Sequence, residues 1–297
     1  MKLLRAATLT VADLKRAESR YAQFMDYRTV ESGNLDAGLA RSWGAPKSAG
    51  APYCVMKPAS NTPIYLRLVQ QVPNVDYEPL KTYGWAAIEI CVQDVLAANE
   101  RMLKSPFEII GPPREIDGLP AIYPMQVKGP DGEIVYLTQI RTDLPAYDLP
   151  RATAPIDRLF IFVLACSDMH ASIRFAVDKL GLAFGRDMQI VYTMLANAFG
   201  MPHEKLHTIS TMIHERDVFF EFDQLPPAAT PRPQHKGHLP PGVAIGTLML
   251  PDFKARIETL KDWCVTEPAV RPGPAYDGKL SATVRGPDGT LFEVVEM

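Results

Sequence analysis

The sequence predicts an α+β fold in which four βαβββ modules are paired into two similar domains with concave mixed β-sheets. One observation is a repeated turn, since VKGPDGEIVYLTQ begins at Val127 and VRGPDGTLFEVVE begins at Val284. Each segment has a Gly-Pro-Asp-Gly turn between two stretches that alternate apolar and polar residues, the pattern of two strands joined by a tight turn. Gly129 and Gly286, which open the two turns, are 157 residues apart. This spacing indicates that the second half of the chain repeats the first.

A second repeated feature is an aspartate placed between a strand and a helix. Such an aspartate accepts hydrogen bonds from the free N–H groups of a helix N-terminus. The feature occurs at Asp13, Asp94, Asp168 and Asp252. Asp13 and Asp168 are 155 residues apart, and Asp94 and Asp252 are 158 residues apart. The similar spacings predict four modules that each open with a strand, a capping aspartate and a helix.

The modules define two predicted domains, residues 1–142 and residues 155–297. Proline-rich segments without periodicity connect them, as expected of linkers. The first and third modules end in similar strands, IYLRLVQ from Ile64 and VFFEFDQ from Val218. The four modules cover about residues 1–72, 83–142, 155–225 and 241–297, and are called modules one to four.

Composition narrows the classes of function. The 297 residues carry a net charge of −3 with acids and bases interspersed, which argues against binding to nucleic acid or an anionic membrane. The four cysteines form no CxxC pair, a pattern typical of reduced thiols in a cytoplasmic protein. The first residues lack the apolar core of a signal peptide, and no segment is long and apolar enough to span a membrane. We therefore expect a cytoplasmic protein that binds a small hydrophobic or aromatic substrate. A homodimer is compatible with this composition.

The alternation along the strands predicts which residues face a binding site. Apolar residues such as Leu9, Ile90 and Phe222 are expected to pack under the helices. The opposite, concave face then carries polar residues, and a concave face of mixed polarity is suited to bind a small molecule. The substrate-binding candidates on this face are Tyr65, Arg67, Glu89, Tyr136 and Asp223.

The strand-Asp-helix openings, the two GPDG turns and the terminal strands together resemble the vicinal oxygen chelate superfamily. This superfamily includes glyoxalases, bleomycin-resistance proteins and extradiol dioxygenases. The resemblance covers nearly the whole chain and implies paired βαβββ modules that form open cups. It leaves the reaction open, because the superfamily contains isomerases, lyases, dioxygenases and binding proteins.

The resemblance also implies where a metal ion would bind. Metal-binding members carry a histidine, or sometimes Glu or Gln, on the first strand of a module and a glutamate on its terminal strand. The first-strand positions of the four modules hold alanine or isoleucine, whose side chains cannot bind a metal. An alternative alignment of module three places Arg158 at this position, and arginine is not a metal ligand either. We therefore expect no metal and no other cofactor; if a metal is present, the residues favour a divalent ion near Glu293. The first-strand positions are Ala6, Ala87, Ile161 and Ile245, and the terminal-strand positions are Tyr65 or Arg67, Tyr136, Glu221 and Glu293.

The predicted catalytic residues are Glu221, Glu293 and His214. Shielded carboxylates can have raised pKa values and act as acids and bases, and a nearby histidine can move protons. These residues favour metal-independent acid–base chemistry of the isomerase or lyase type on a hydrophobic small molecule. One alternative is a metal-free protein that sequesters an aromatic compound or drug. The other is an extradiol-dioxygenase-like or lyase enzyme with atypical metal ligands, in which histidines from His203, His207 or His214 join Glu293.

The segment HEKLH at residues 203–207 matches the His-Glu-x-x-His pattern of zinc hydrolases. That pattern binds zinc only on a continuous helix, where both histidines share one face. Here Gly200 and Pro202 interrupt any preceding helix, and His207 opens the predicted strand HTISTMIH. The sequence therefore predicts a junction between a loop and a strand, with no zinc site.

Overall fold

The computed structural model describes residues 3–297 as two eight-stranded mixed β-sheets with six α-helices packed against them. The helices are α1 (Leu14–Met25), α2 (Ala37–Ser42), α3 (Val95–Met102), α4 (Met169–Asp178), α5 (Thr193–Phe199) and α6 (Phe253–Leu260). The strands of modules one and two are β1 (Leu4–Val11), β2 (Tyr27–Asn34), β3 (Pro52–Pro58), β4 (Tyr65–Gln70), β5 (Gly84–Val92), β6 (Glu108–Gly111), β7 (Ile122–Lys128) and β8 (Ile134–Ile140). Those of modules three and four are β9 (Ile156–Cys166), β10 (Ala183–Val191), β11 (Leu206–His214), β12 (Asp217–Gln224), β13 (Val243–Leu250), β14 (Ala269–Val270), β15 (Leu280–Arg285) and β16 (Leu291–Glu296).

The capping aspartates begin three of the four predicted helices as expected. Asp13 accepts from the backbone N–H of Arg16, and Asp94 and Asp168 make equivalent bonds at α3 and α4. Asp252 differs, since its side chain makes no capping hydrogen bond to α6. Its backbone has φ 52°, in the left-handed region, whereas a capping residue needs an extended backbone to reach the free N–H groups.

The order of strands shows which modules share a sheet. Modules one and four form sheet I, with the order β14-β15-β16-β13-β1-β4-β3-β2. Modules two and three form sheet II, with the order β10-β11-β12-β9-β5-β8-β7-β6. The opening strands join the modules as the antiparallel pairs β1–β13 and β5–β9. The predicted fold of paired βαβββ modules is confirmed, and each half of the chain contributes one module to each sheet.

This pairing separates Glu221 from Glu293, although both belong to the predicted domain of residues 155–297 and were expected to act together. Glu221 lies on β12 in sheet II, and Glu293 lies on β16 in sheet I. Sequence repeats identify the modules but carry no information about which modules hydrogen-bond to each other. The pairing is a long-range contact between strands that local patterns do not encode.

An aromatic cluster joins the two sheets inside one large hydrophobic core. The Trp85 ring centroid lies 5.0 Å from that of Phe162, 5.3 Å from that of Phe220 and 4.8 Å from that of Phe292. The indole N–H of Trp85 in sheet II donates to the carbonyl of Leu291 in sheet I at 2.8 Å. Because this core lies between the sheets, their concave faces are left for other uses.

The repeated GPDG turns hold consecutive modules together. Asp131 in the first turn accepts from the backbone N–H of Ala12 at 2.7 Å, at the point where α1 begins. Asp288 in the second turn accepts from the backbone N–H of Ser167 at 2.9 Å, just before α4. The two contacts are related by the sequence repeat, so the same turn performs the same structural role twice.

No helix of residues 3–297 has the length and apolar character needed to cross a membrane.

Replacement of Gly246 by alanine tests the junction between the sheets. An added Cβ would lie 2.9 Å from a ring carbon of Trp85 and 3.4 Å from Phe162, and such overpacking typically costs about 1–3 kcal/mol. We expect Gly246→Ala to lower the free energy of unfolding by this amount in urea titrations. Gly33→Ala is the control, because its Cβ would meet nothing nearer than 3.5 Å. Equal stability of the two variants would contradict tight packing of the sheets at Trp85.

Candidate active site

The concave face of sheet II encloses a cavity of about 370 Å³. This volume lies within the range of pockets that bind small molecules. Apolar and aromatic side chains form the walls, and the carboxyls of Glu89 and Glu221 also line the cavity. The aromatic residues in the walls are Tyr136, Tyr147, Phe160 and Tyr192.

The strand register brings the acidic residues of the cavity together. Glu89 on β5 lies beside Ile161 on β9 and beside Tyr136 on β8. Glu221 lies on β12, which pairs with β9. Asp223 follows two residues later on the same strand and therefore on the same face. Residues from modules two and three thus meet at the centre of the sheet.

Hydroxyl groups connect the carboxyls into one cluster. Thr138 donates to Glu89, and the hydroxyls of Tyr136 and Tyr192 are hydrogen-bonded to each other. The Tyr192 hydroxyl also donates a hydrogen bond to Glu221 Oε1 at 3.4 Å. These groups form the acidic cluster, defined as Glu89, Tyr136, Tyr192, Glu221 and Asp223.

Burial raises the pKa of every carboxyl in the acidic cluster. Burial and the nearby charge of Glu221 raise the pKa of Glu89 to about 8. Burial raises the pKa of Asp223 to about 7, and burial together with the charge of Asp223 holds the pKa of Glu221 well above its usual range. In residues 3–297 none of the three forms a salt bridge with Lys, Arg or His. At neutral pH the cluster therefore holds both protonated and ionisable carboxyls, the combination that acid–base catalysis uses.

One carboxyl oxygen of Asp223 is buried without a hydrogen-bond partner. Its side chain is 5% exposed, and its Oδ1 has no hydrogen-bond partner in residues 3–297. Buried polar atoms are paired in most proteins, so this unpaired oxygen, two residues from Glu221 on the same strand, makes Asp223 a candidate functional residue. The neighbouring His207 is similar, because it is 5% exposed and its Nε2 lacks a partner within the same residues. Its ring centroid lies 6.4 Å from that of Tyr192.

The equivalent position of sheet I has a different role. Glu293 Oε1 accepts from the Trp43 indole and the Tyr276 hydroxyl at 2.7 Å each, and its Oε2 accepts from Thr247 at 2.8 Å. Arg67 Nη1 lies 3.5 Å from the same Oε2. Glu293 and Arg67 are both 1% exposed. The concave face of sheet I is thus filled by a polar network in which both oxygens of Glu293 accept hydrogen bonds, while Nη2 of Arg67 has no partner among residues 3–297. We infer a structural role for Glu293.

Three further predicted residues also lie away from the cavity. Tyr65 is buried on sheet I beneath the guanidinium of Arg5, at 5.4 Å. Arg67 belongs to the Glu293 network. His214 ends β11 opposite Asp217, whereas Ile209 and Thr211 of the same strand line the cavity. Since successive residues of a strand face opposite sides, His214 is not directed at the acidic cluster. The structure brings together Glu89, Tyr136, Glu221 and Asp223, and separates them from Tyr65, Arg67, His214 and Glu293.

Sequence reasoning missed two residues of the cavity, Arg186 and Tyr192. Both come from the segment GRDMQIVYT, in which Arg186 and residues 188–193 line the cavity. The alternation of this segment is visible in the sequence and was the available signal. The predicted junction between a loop and a strand at HEKLH is confirmed, because residues 203–204 form a turn and β11 begins at Leu206. His203 is bonded to Asn197, away from the buried ring of His207.

The residues of sheet II do not fit the metal site of the superfamily. Ala87 and Ile161 occupy the first-strand positions, and only Glu221 offers the expected donor. Within residues 3–297 no three His, Cys, Asp or Glu side chains are grouped so that they could hold a metal ion. A divalent ion near Glu293 fits no better, because both oxygens of that carboxyl already accept hydrogen bonds from donors.

Replacement of Glu293 by alanine tests its structural role. The change leaves the buried donors of Trp43, Thr247 and Tyr276 unpaired and the Arg67 charge uncompensated, and breaking a buried ion pair costs about 3–5 kcal/mol. We expect Glu293→Ala to lower the free energy of unfolding by this amount. Glu296→Ala on the same strand is the control, with an expected change below about 0.5 kcal/mol. A stability equal to that of the wild type would show that Glu293 is solvated.

The pH dependence of stability tests the raised pKa of Glu89. A glutamate in an unfolded chain has a pKa of about 4.3, so the folded protein retains this proton over a pH range in which the unfolded chain has lost it. The stability contributed by this bound proton is fully present below about pH 4.3. As the pH rises from there towards 8, the free energy of unfolding falls by about 1.4 kcal/mol per pH unit for this one proton.

We expect Glu89→Gln to remove this part of the slope and to be more stable than the wild type at pH 8. Urea titrations between pH 5 and 9 measure the effect. Glu100→Gln, at an exposed position of α3, is the control and should keep the wild-type slope. Identical slopes for all three proteins would mean that Glu89 is ionised in the folded state.

The comparisons with known proteins agree with this architecture. The sequence matches no protein-family model, and no curated protein is significantly similar to it. Glyoxalase I from Zea mays superposes with a TM-score of 0.65 at 18% sequence identity, covering 100% of this chain and 92% of that chain. A proposed dioxygenase from Bacillus subtilis subsp. subtilis str. 168 gives a TM-score of 0.61 at 12% identity, with 99% and 86% covered. Across its whole length the chain therefore has the fold of the vicinal oxygen chelate superfamily.

Proposed function

We propose that the protein is an enzyme that moves a proton to and from a carbon atom of a hydrophobic small molecule, in the cavity of sheet II and without a metal ion. The observation that carries this proposal is the acidic cluster. Three buried carboxyls with raised pKa values lie together on sheet II, and two of them, Glu89 and Glu221, line an apolar cavity. None of the three has a cationic partner among residues 3–297. Such an arrangement destabilises the folded state, so its presence in a pocket indicates a role in chemistry.

Glu221 is the proposed base. It lines the cavity and is only partly exposed, so an ionised Glu221 has few water molecules to stabilise its charge. Burial and the charge of Asp223 beside it raise the pKa of Glu221, and burial raises the pKa of Asp223 to about 7. A base is most effective when its pKa lies near the working pH.

The remaining groups stabilise the charge that forms. When Glu221 takes a proton from the carbon next to a carbonyl, the C–H electron pair moves into a new C=C bond and the carbonyl oxygen becomes an enolate. Protonated Glu89 is the donor that remains for this oxygen, because Tyr136 donates to Tyr192 and Tyr192 donates to Glu221. Donors held in a site that excludes water stabilise an oxyanion strongly.

The same intermediate leads to two reaction classes. In an isomerisation, the acid form of Glu221 returns the proton to a different carbon. In a lyase reaction, the electron pair of the enolate expels a leaving group from the adjacent carbon, and the leaving group departs with the pair. The assignment retains Glu221 from the sequence prediction and replaces Glu293 and His214 with Glu89 and Asp223.

A sequestration protein for an aromatic compound is the second candidate. Four aromatic rings, Tyr136, Tyr147, Phe160 and Tyr192, line the cavity, and a pocket of this kind binds an aromatic molecule without transforming it. The two candidates differ in whether a bound ligand exchanges protons.

Proton exchange into a neutral ketone tests the proposal. We expect the protein to accelerate the incorporation of deuterium from D₂O into 4-phenyl-2-butanone, measured by NMR. Glu221→Gln should reduce the enzymatic rate by about 10²–10⁴-fold, the usual contribution of a general base. The rate should rise with pH through about 7, because the Glu221–Asp223 pair must lose a proton to act as the base.

Glu204→Gln is the control, since it removes a carboxylate from an exposed turn. Retention of the full rate in Glu221→Gln would exclude Glu221 as the base. Binding of the ketone without any exchange would favour sequestration.

A further inference from the structure

Arg186 is an unpaired cation in the wall of the cavity. It lies on β10 and lines the cavity together with Met188 and Ile190. Its Nε is buried without a hydrogen-bond partner, and its guanidinium forms no ion pair with any of residues 3–297. Burying part of a guanidinium without a partner costs free energy. An unpaired donor of this kind in a cavity indicates that a ligand completes its interactions.

A β-bulge directs this side chain into the cavity. The pairing of β10 with β11 changes from Phe184 opposite Met212 to Asp187 opposite Ser210, so Gly185 and Arg186 both lie opposite Thr211. Bulges of this type change the direction of a side chain and are common beside active sites.

The bulge depends on the absence of a side chain at residue 185. The backbone N–H of Arg186 donates to Thr211 Oγ1 at 3.2 Å. A Cβ on Gly185 would lie 2.5 Å from that oxygen and 3.0 Å from the Thr211 carbonyl oxygen. The position of Arg186 is therefore built into the backbone of β10.

Tyr147 orients the guanidinium. The carbon at the centre of the Arg186 guanidinium lies 5.6 Å from the centroid of the Tyr147 ring. Tyr147 belongs to the segment that connects modules two and three, and it lines the same cavity. This contact restricts the side chain but satisfies no N–H group. The N–H groups remain available for an oxygen ligand, and a guanidinium binds a carboxylate with two parallel hydrogen bonds.

We propose that the cavity of sheet II binds a hydrophobic monocarboxylate, with its carboxylate on Arg186 and its apolar body along the aromatic walls. This inference deepens the proposed function and rests on it for the reacting carbon, which faces Glu221. The acidic cluster opposes such a ligand less than three ordinary carboxylates would, because burial raises the pKa of each of its carboxyls. The charges near the mouth are mixed, since Arg114, Glu115 and Asp117 all line the cavity and Arg141 pairs with Glu115.

Matched ligands test the charge preference directly. We expect 4-phenylbutanoate to bind the full-length protein at least tenfold more tightly than 4-phenylbutanamide, which has the same shape without the charge, at pH 6.5 by isothermal titration calorimetry. Arg186→Gln should weaken binding of the carboxylate at least tenfold and change binding of the amide less than twofold. 4-Phenylbutylamine, the cationic analogue, should bind more weakly than the amide.

Arg174→Gln removes the same charge from an exposed position of α4 and should leave all three affinities unchanged. The proposal is overturned if the amide or the amine binds as tightly as the carboxylate, if Arg186→Gln keeps the preference, or if no member of the set binds. A second variant, Gly185→Ala, should weaken carboxylate binding while Arg186 itself is retained.

The same measurements in Glu221→Gln separate this inference from the proposed function. Carboxylate preference should persist in Glu221→Gln, because Arg186 is intact there. Loss of preference only in Arg186→Gln supports the ligand class even if no exchange occurs, whereas exchange without preference supports the chemistry alone.

Discussion

The antiparallel pairing of β5 with β9 is the interaction on which the cavity depends. It joins modules two and three into one sheet and places Glu89 beside Ile161. The terminal strands β8 and β12 then pair in parallel on either side, which brings Tyr136 next to Glu89 and Glu221 next to Val163. Without this long-range pairing, the carboxyls from residues 89, 221 and 223 would have no common site.

The two sheets repeat one architecture with opposite outcomes at the centre. By strand register, Arg67, Tyr136, Glu221 and Glu293 occupy equivalent positions of the four modules, because each lies opposite the corresponding residue of its opening strand. In sheet I the equivalent pair is Arg67 and Glu293, which neutralise each other. In sheet II the pair is Tyr136 and Glu221, and a phenol cannot neutralise a carboxylate. The position therefore holds a buried ion pair in sheet I and a carboxyl without a cationic partner in sheet II.

The two sheets also differ in whether side chains fill their concave faces. Trp43, Tyr276 and their neighbours fill the face of sheet I and donate to Glu293. In sheet II the hydroxyl of Tyr192 approaches Glu221 from one side only, and space remains above the carboxyls. Arg186 lies in the wall of that space without forming an ion pair with the acids. Because the carboxyls and the Arg186 guanidinium remain apart in one cavity, each can contact a different part of a single ligand.

Much of the fold was predictable from local patterns. Alternation of apolar residues, capping aspartates such as Asp13 and the repeated GPDG turns depend on near neighbours in the chain, so the sequence alone determined the four modules, their strand faces and the loop-to-strand junction at HEKLH. It also identified Glu89, Tyr136, Glu221 and Asp223 as residues of a concave face. The tertiary structure alone decided that module one pairs with module four, and therefore that Glu221 and Glu293 lie in different sheets. The β-bulge at Gly185, the open cavity of sheet II and the filled face of sheet I were likewise decided by contacts between distant strands, which no local period in the sequence records.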